Sequence, residues 1–578
     1  MNKLAIVIFI FLIGTFAYVF FPDPADNAIA RVDLIYSIVY HHALNIDAYY
    51  ENSADVAFHG GHYYYSNGPG AALPGAALLA GYRALTGDNN PDPYNSPPLR
   101  LITLFLVSLP AALLGAMLFL YFGRFAGSAP DRAAVALAFS LGTLALPYSA
   151  LYYTYLPGMF LCFSGFLIIE RYKNEERFAG AALFFAGFLV SYAVVCSYDA
   201  ALTALPLAVY CLLTLKNKSR FVYFMLGALP PAAALAVYNH ACFGSALTAG
   251  IFNMSNPDWK IAPQKFFADR MAPGATGFWR VIFAPGRGLL WLSPFIVFSA
   301  PGFFAMLKRK EDRAAAWLCL ATSFLYLAYN AAAYWAGGYS PGPRYLTPGM
   351  IFLCIPIFFW LRRASGLGRA LFAVAAVVAI AQFGVMTLAD PHVPDSIRSP
   401  FFAFSLPMFL NGYTTWTAGR LFGMRGPESL LPYAAFCAVM ALAAARVAGK
   451  PENKTPDENG GRRAQLWAWP LAVLIGAGFL YASYMLSDVK SPDAAATRAA
   501  VYYENRLYEP AARDYSFAIE RAGGRDATLY FDRALAYSQL GENAKAGEDF
   551  RRAAEIARKT LERDPNNSQA KQMQEALK

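Results

Sequence analysis

The sequence predicts an all-α polytopic membrane protein that ends in a small soluble helical tail. Of its 578 residues, 57% are apolar and only 15% are charged, against about a quarter charged in an ordinary soluble domain. The charges cluster, which leaves many uncharged runs of the ~20 apolar residues needed to cross a hydrocarbon core of about 30 Å. From about residue 487 onward the composition turns charged and amphipathic.

Membrane helices are predicted near 4–21, 98–122, 133–151, 155–170, 178–196, 200–215 and 221–241. Others follow near 287–307, 314–334, 345–361, 370–389, 428–447 and 466–486, thirteen in all. The run 4–21 is long and leads into Phe21-Pro22-Asp23-Pro24 without a small-residue cleavage site, so it reads as an uncleaved first helix rather than a signal peptide. Asp199 marks a very short turn between two of the helices. The segment 69–86 holds Pro69, Gly70, Pro74 and Gly75 and reads as a helix lying on the surface.

Lys and Arg set the orientation. Lys3, Arg124, Arg132, Arg171, Lys173, Arg177, Lys216, Lys218 and Arg220 fall in alternate loops, as do Lys308 to Arg313, Arg362, Arg363, Arg369, Lys450, Arg462 and Arg463. Those loops are expected on the cytoplasmic side, with the N-terminus. An odd number of crossings puts the tail outside, in the periplasm of a Gram-negative bacterium. The long segments 22–97, 242–286 and 390–427 are then outer loops, where function concentrates on a rigid scaffold.

The net charge of +10 does not argue for nucleic acid, because the basic residues sit in these short loops. The seven cysteines (Cys162, Cys196, Cys211, Cys242, Cys319, Cys354 and Cys437) lie in or beside apolar runs and make neither a disulfide framework nor a CxxC metal site. The sequence has no Walker loop, Rossmann fingerprint, nucleophile elbow or HExxH motif, so a nucleotide-driven pump or soluble-type hydrolase has no support.

The first outer loop carries the densest chemistry. It runs Arg-Val-Asp-Leu-Ile-Tyr over 31–36, then His41, His42, Asp47, Tyr49, Tyr50, Glu51 and Asp55, and ends in a Gly- and Tyr-rich stretch at 60–70 with His62 and Tyr64. Asp33 falls about a dozen residues after the first helix, near the membrane surface. A carboxylate there suits a general base acting on a lipid-borne substrate; the alternative is a solvated loop residue or a helix cap. His41, His42, His59 and His62 share the loop, but an adjacent pair and a Gly-rich His-x-x-His favour interfacial hydrogen bonding over a metal site.

The second constellation, Trp335 to Pro348, lies at the outer mouth of a helix and carries Arg344 and Tyr345. An arginine at that depth is costly unless paired, and its forked donors suit a phosphate; the alternative is snorkelling to the interface. A similar turn, Ala284 to Pro294, offers Arg287. Lys260, Lys265, Arg270, Arg280 and Arg420 add positive charge able to attract anionic headgroups.

In the tail, Ala511, Tyr515 and Ala518 recur 35 residues later as Ala546, Phe550 and Ala553. With Ala534, Tyr537 and Gly541 they carry the spacing of a tetratricopeptide repeat, one good copy and one partial. Fewer than three repeats are marginal alone, so the tail is expected to lean on the membrane domain or on a partner protein.

Taken in order, these features resemble the GT-C class of membrane glycosyltransferases, of the family 39-like type that includes bacterial protein O-mannosyltransferases and aminoarabinose transferases. The residues that carry the resemblance are the acidic first outer loop, Ser66-Asn67-Gly68-Pro69-Gly70, Pro97-Pro98-Leu99-Arg100 and Gly342-Pro343-Arg344-Tyr345-Leu346-Thr347-Pro348. It covers residues 1–486, with 487–578 as a tetratricopeptide-like extracytoplasmic domain. It implies inverting transfer of a sugar from a polyprenyl-phosphate donor to an acceptor hydroxyl at the outer face of the bacterial inner membrane. Asp33 matches the family's base. Many relatives have two adjacent acids there, whereas this chain has Val32-Asp33-Leu34, so a second acid would come from Asp47 or Asp55. No cofactor is required, because a lipid phosphate leaves as an anion and needs positive charge rather than a second catalytic acid; Arg344, helped by Arg287, fits that need.

Competing readings are a transporter or flippase of lipid-linked sugars, a ligase of envelope polysaccharides, and a scaffold whose tail recruits partners. The predicted helices hold almost no mid-span charges and no inverted repeat, which counts against transport.

Overall fold

A computed structural model describes residues 2–22, 25–257, 274–333, 337–448 and 459–577. Lys260, Lys265, Arg270, Trp335 and Lys450 lie outside the described residues, as do the side chains of Arg462 and Arg463. The chain is a bundle of apolar helices followed by five shorter helices. Only two small two-stranded sheets occur among the described residues. Helices dominate because hydrocarbon supplies no partners for backbone amides, so each segment must close its own hydrogen bonds.

Among the described residues eight helices are long and apolar enough to cross a membrane: Ser96–Phe122, Ala179–Cys196, Lys218–Phe243, Arg313–Ala332, Arg344–Leu361, Gly366–Ala389, Gly426–Val447 and Trp467–Met485. These coincide with eight of the thirteen predicted segments. The other five predicted segments fold as shorter or less apolar helices, among them Lys3–Tyr18, Ala129–Leu141, Tyr155–Tyr172 and Ala201–Thr214. The predicted span 287–307 is broken at Ser293-Pro294, where proline removes an amide donor, and its last part is Ser299–Leu307.

Burial separates centre from rim. Arg344–Leu361 has 83% of its apolar window inside the protein, whereas Gly426–Val447 has none. The rim helix touches the first helix through rings: Phe436 stacks near Phe11, and Tyr433 lies tilted against Tyr18. Its outward Leu and Val side chains face the surroundings, as a lipid-facing helix requires.

At one end of the bundle the irregular segments gather. Val19 and Phe20 pair with Thr417 and Trp416, which ties the exit of the first helix to the 390–427 segment. Arg100, from the predicted Pro-Pro-Leu-Arg helix entry, lies over the Trp416 ring at 4.1 Å. The predicted surface helix is Ala72–Thr86, with Ala72, Gly75, Ala76 and Leu79 buried and Leu85 exposed. The turn before it presses on the end of Ala179–Cys196: a Cβ on Gly68 or Gly70 would run into the backbone of Val195 and Cys196. Tyr192 and Tyr152 then donate to the carbonyls of Gly70 and Ala71.

The tail comprises Pro492–Glu504, Tyr508–Arg521, Ala527–Gln539, Asn543–Arg563 and Ser568–Ala576. Its ion pairs repeat with the 35-residue period: Arg498 meets Asp514 and Arg533 meets Asp549, each with an N–O distance of 2.7 Å. The tail shares one apolar core with the bundle, in which Val393, Ile397, Ala403, Phe404 and Met408 pack with Ala494, Ala499, Tyr502 and Tyr515. Arg498 also donates to the Ala403 carbonyl, and Asn411 donates to the Tyr502 hydroxyl at 3.1 Å. The tail therefore leans on the 390–411 segment.

Candidate active site

The helix Asp26–Tyr36 follows the first membrane helix and carries Asn27, Arg31 and Asp33. Two amide–carboxylate pairs of opposite sense lock it to the loop at 52–55. Asn52 donates to Asp33 Oδ1 at 2.9 Å, and Asn27 donates to Asp55 Oδ2 at 2.5 Å. Ser66 fills the other oxygen of Asp55 at 2.8 Å. Asp55 thus has both oxygens committed to holding the helix. It is not the free second acid that the sequence suggested.

Asp33 differs. It is fully buried, and its Oδ2 has no partner among the described residues. Burial pushes its carboxyl up to about 7, against a smaller downward pull from the Asn52 bond. A carboxylate with one oxygen held and the other free, titrating near neutrality, is matched to proton abstraction.

Arg31 has no role that the sequence pattern alone assigns. It is 1% exposed, donates to the Tyr152 carbonyl at 2.5 Å and to Asn27 Oδ1 at 2.8 Å, and lies over the rings of Tyr65 and Tyr152. The next residue, Tyr153, faces Arg344, whose guanidinium carbon is 5.9 Å from that ring. The dipeptide Tyr152-Tyr153 therefore joins the Asp33 helix to the Arg344 turn. In the sequence these tyrosines fall at a break between two predicted helices. The cluster Tyr148, Tyr152, Tyr153 and Tyr155 was the available signal.

Arg344 opens the turn before Met350–Leu361. Its guanidinium is 5.2 Å from the Tyr345 ring and donates weakly to the Tyr345 hydroxyl at 3.4 Å. Its Nε is shut off from solvent without a partner, and no carboxylate pairs with it among the described residues. Tyr345 in turn stands edge-on to Tyr155 and Tyr329. Tyrosine faces supply a partial counter-charge, but an unpaired cation in such a place is a ready anion site. The preceding glycines shape the turn. Gly337 and Gly338 adopt positive φ (81° and 67°), and a Cβ on Gly337 would strike the Gly342 carbonyl.

Arg287 is a correction. It is 1% exposed and donates to the carbonyls of Ile397 (2.8 Å), Ser340 (2.6 Å), Val393 (3.3 Å) and Pro394. Burial lowers its guanidinium to about 10, opposed by the charges of Asp395 and Asp488, so it stays charged at neutral pH. With its fork spent on carbonyls it is a clamp between two loops, not a phosphate ligand.

The remaining candidates sit apart. His62 Nδ1 meets Asp47 Oδ2 at 2.6 Å and the Tyr63 amide donates to Asp47 Oδ1 at 2.7 Å, which fixes the exposed end of the Val56–His59 and His62–Tyr65 hairpin. Tyr64 packs against Phe243 at 5.5 Å. Among the described residues no group of three His, Cys, Asp or Glu side chains is placed to hold a metal ion.

No protein-family description matches the chain, and no curated protein matches it. Solved structures similar to this chain include two of one protein. The crystal structure of ArnT from Cupriavidus metallidurans in the apo state is 14% identical with a TM-score of 0.42, covering 83% of this chain and 74% of that one. The same protein bound to undecaprenyl phosphate is 14% identical with a TM-score of 0.39, covering 86% and 79%. Likeness at this level leaves the function to be argued from the site.

Proposed function

We propose that this chain is a GT-C-type glycosyltransferase of the bacterial inner membrane. It moves a sugar from a polyprenyl-phosphate donor to an acceptor hydroxyl, with inversion at the anomeric carbon. The observation that carries the reading is the pairing, across Tyr152-Tyr153, of a buried carboxylate with a free oxygen and a guanidinium with no carboxylate partner among the described residues.

The chemistry follows from those two groups. The acceptor oxygen attacks the anomeric carbon while Asp33 Oδ2 takes its proton. The bond from that carbon to the phosphate oxygen breaks, and its electron pair stays on the lipid phosphate. Arg344 offsets the charge as it develops, a contribution often worth about 3 kcal/mol in a dry site. A phosphate leaves without being protonated, so one carboxylate suffices where a glycosidase needs two, and no cofactor is required. Asn52, Asp55, Asn27 and Arg31 act as positioning residues that fix the base. The tyrosines around Arg344 offer faces on which a sugar or prenyl chain can lie. The outer-face orientation, with the tail in the periplasm, follows from the charge bias of the loops.

The test is a lipid extract from a deletion strain, the deletion with the wild-type gene restored, and the deletion carrying Asp33→Asn. Mass spectrometry should find a polyprenyl-phosphate sugar accumulating in the first and third strains only. An Asn strain that matches the restored one removes Asp33 as base and favours transport.

A further inference from the structure

We propose that the cavity where the last membrane helix meets the tail holds the phosphodiester of a glycerophospholipid from the adjoining leaflet. The cavity has a volume of about 550 Å³ and is bounded by the end of Trp467–Met485, the linker to Pro492–Glu504 and the 396–398 loop. One wall is apolar. Tyr484 and Met485 are exposed at the end of a helix long enough to cross the membrane, and Phe402 stands edge-on to Tyr484 at 5.6 Å. The exposed aromatic and apolar side chains there match the level at which headgroup meets hydrocarbon.

The other wall is polar and carries Arg398 and Lys490, both exposed. Neither guanidinium nor ammonium makes an ion pair among the described residues. Two acids share the wall, and one is already engaged. Asp488 accepts from the backbone amides of Arg398 at 2.8 Å and Ser399 at 2.9 Å. Asp493 lies in the first turn of its helix, where the amide dipoles favour negative charge. The two cations remain for an incoming anion. A guanidinium fork beside an ammonium suits a phosphodiester, and the adjacent apolar wall suits the glycerol and acyl roots that a free phosphate lacks.

The site would brace the hinge of the tail. The 396–399 loop that forms it is the one Arg287 clamps through Ile397 and Asp488 holds through its amides. Neither Asp33 nor Arg344 takes part, so the inference stands apart from the proposed transfer reaction.

The experiment is native mass spectrometry of the full-length protein in detergent, titrated with phosphatidylglycerol, with diacylglycerol of the same chains, and with inorganic phosphate. Wild type should retain one phosphatidylglycerol more than the Arg398→Ala/Lys490→Ala variant, whose affinity should be about tenfold weaker. Diacylglycerol should not occupy the site, and excess inorganic phosphate should not empty it. Arg398→Lys should recover part of the binding and serves if the double variant folds poorly. Equal retention by wild type and variant overturns the proposal, as does diacylglycerol bound as well as phosphatidylglycerol. Displacement by inorganic phosphate reassigns the cations to a free anion and overturns the lipid source.

Discussion

Two arginine turns, 284–294 and 337–348, look alike in sequence: each is rich in glycine and proline and each leads into an apolar helix. Their fates are opposite. Arg287 is wrapped by carbonyls from two other segments of the chain, whereas among the described residues Arg344 meets tyrosine rings and one weak hydroxyl. The difference separates a structural cation from a functional one. Carbonyls can satisfy every donor of a guanidinium and leave nothing for a ligand, while rings stabilise the charge yet leave its donors free. The same contrast holds for the acids, since Asp55 is fully occupied and Asp33 is half free.

Replacing each arginine in turn separates the two roles. Arg344→Ala should cut transfer by about 10²–10³-fold with little change in unfolding temperature. Arg287→Ala should lower stability by about 1–3 kcal/mol, because it orphans buried carbonyls; thermal unfolding in detergent reads the loss. Reversed outcomes would exchange the two roles.

Asp33→Asn should cost about 10²–10⁴-fold in rate. It should also stabilise the protein above pH 7. The folded value of Asp33 lies above its unfolded one, so the carboxyl favours the fold while protonated and that contribution is lost as pH rises through about 7. An amide cannot ionise and escapes the loss. For wild type, transfer should climb with pH through about 7 as the base sheds its proton. Asn52→Ala should move this limb to higher pH, since the Asn52 bond holds the value down. A limb that stays in place in that variant assigns it to another group.

Smaller effects test the supporting residues. Asn27→Ala frees one oxygen of Asp55 and loosens the helix that carries the base, so kcat should fall roughly tenfold by misplacement, with the pH limb unmoved. Asp47→Asn should change transfer less than twofold and stability by under ~0.5 kcal/mol, as for an exposed pair. A large loss there would extend the site to the hairpin.

Much of the fold was legible because its cause is local. An uncharged apolar run must be helical in hydrocarbon, wherever it packs. The break of the predicted span at Ser293-Pro294 shows the limit, since run length alone does not report where the backbone turns. The recurrence of Ala511, Tyr515 and Ala518 was visible, but the Arg498–Asp514 and Arg533–Asp549 pairs that share its period needed the helix pairing to be seen. Asp33 stood out by its distance from the first helix. Arg31 did not, because its partners include a carbonyl more than a hundred residues away.

The helical membrane class, the charged tail and the outer segments that carry the candidate chemistry are written in local pattern. Hydropathy, charge and repeat period are sums over neighbours in the chain. Which arginine keeps open donors and which acid keeps an open oxygen is set by contacts between distant segments. Those properties depend on whether residues 393–397 reach Arg287 and residues 52–66 reach Asp33 and Asp55. Satisfaction of a buried polar group is settled by contacts between distant segments, and no local pattern encodes it.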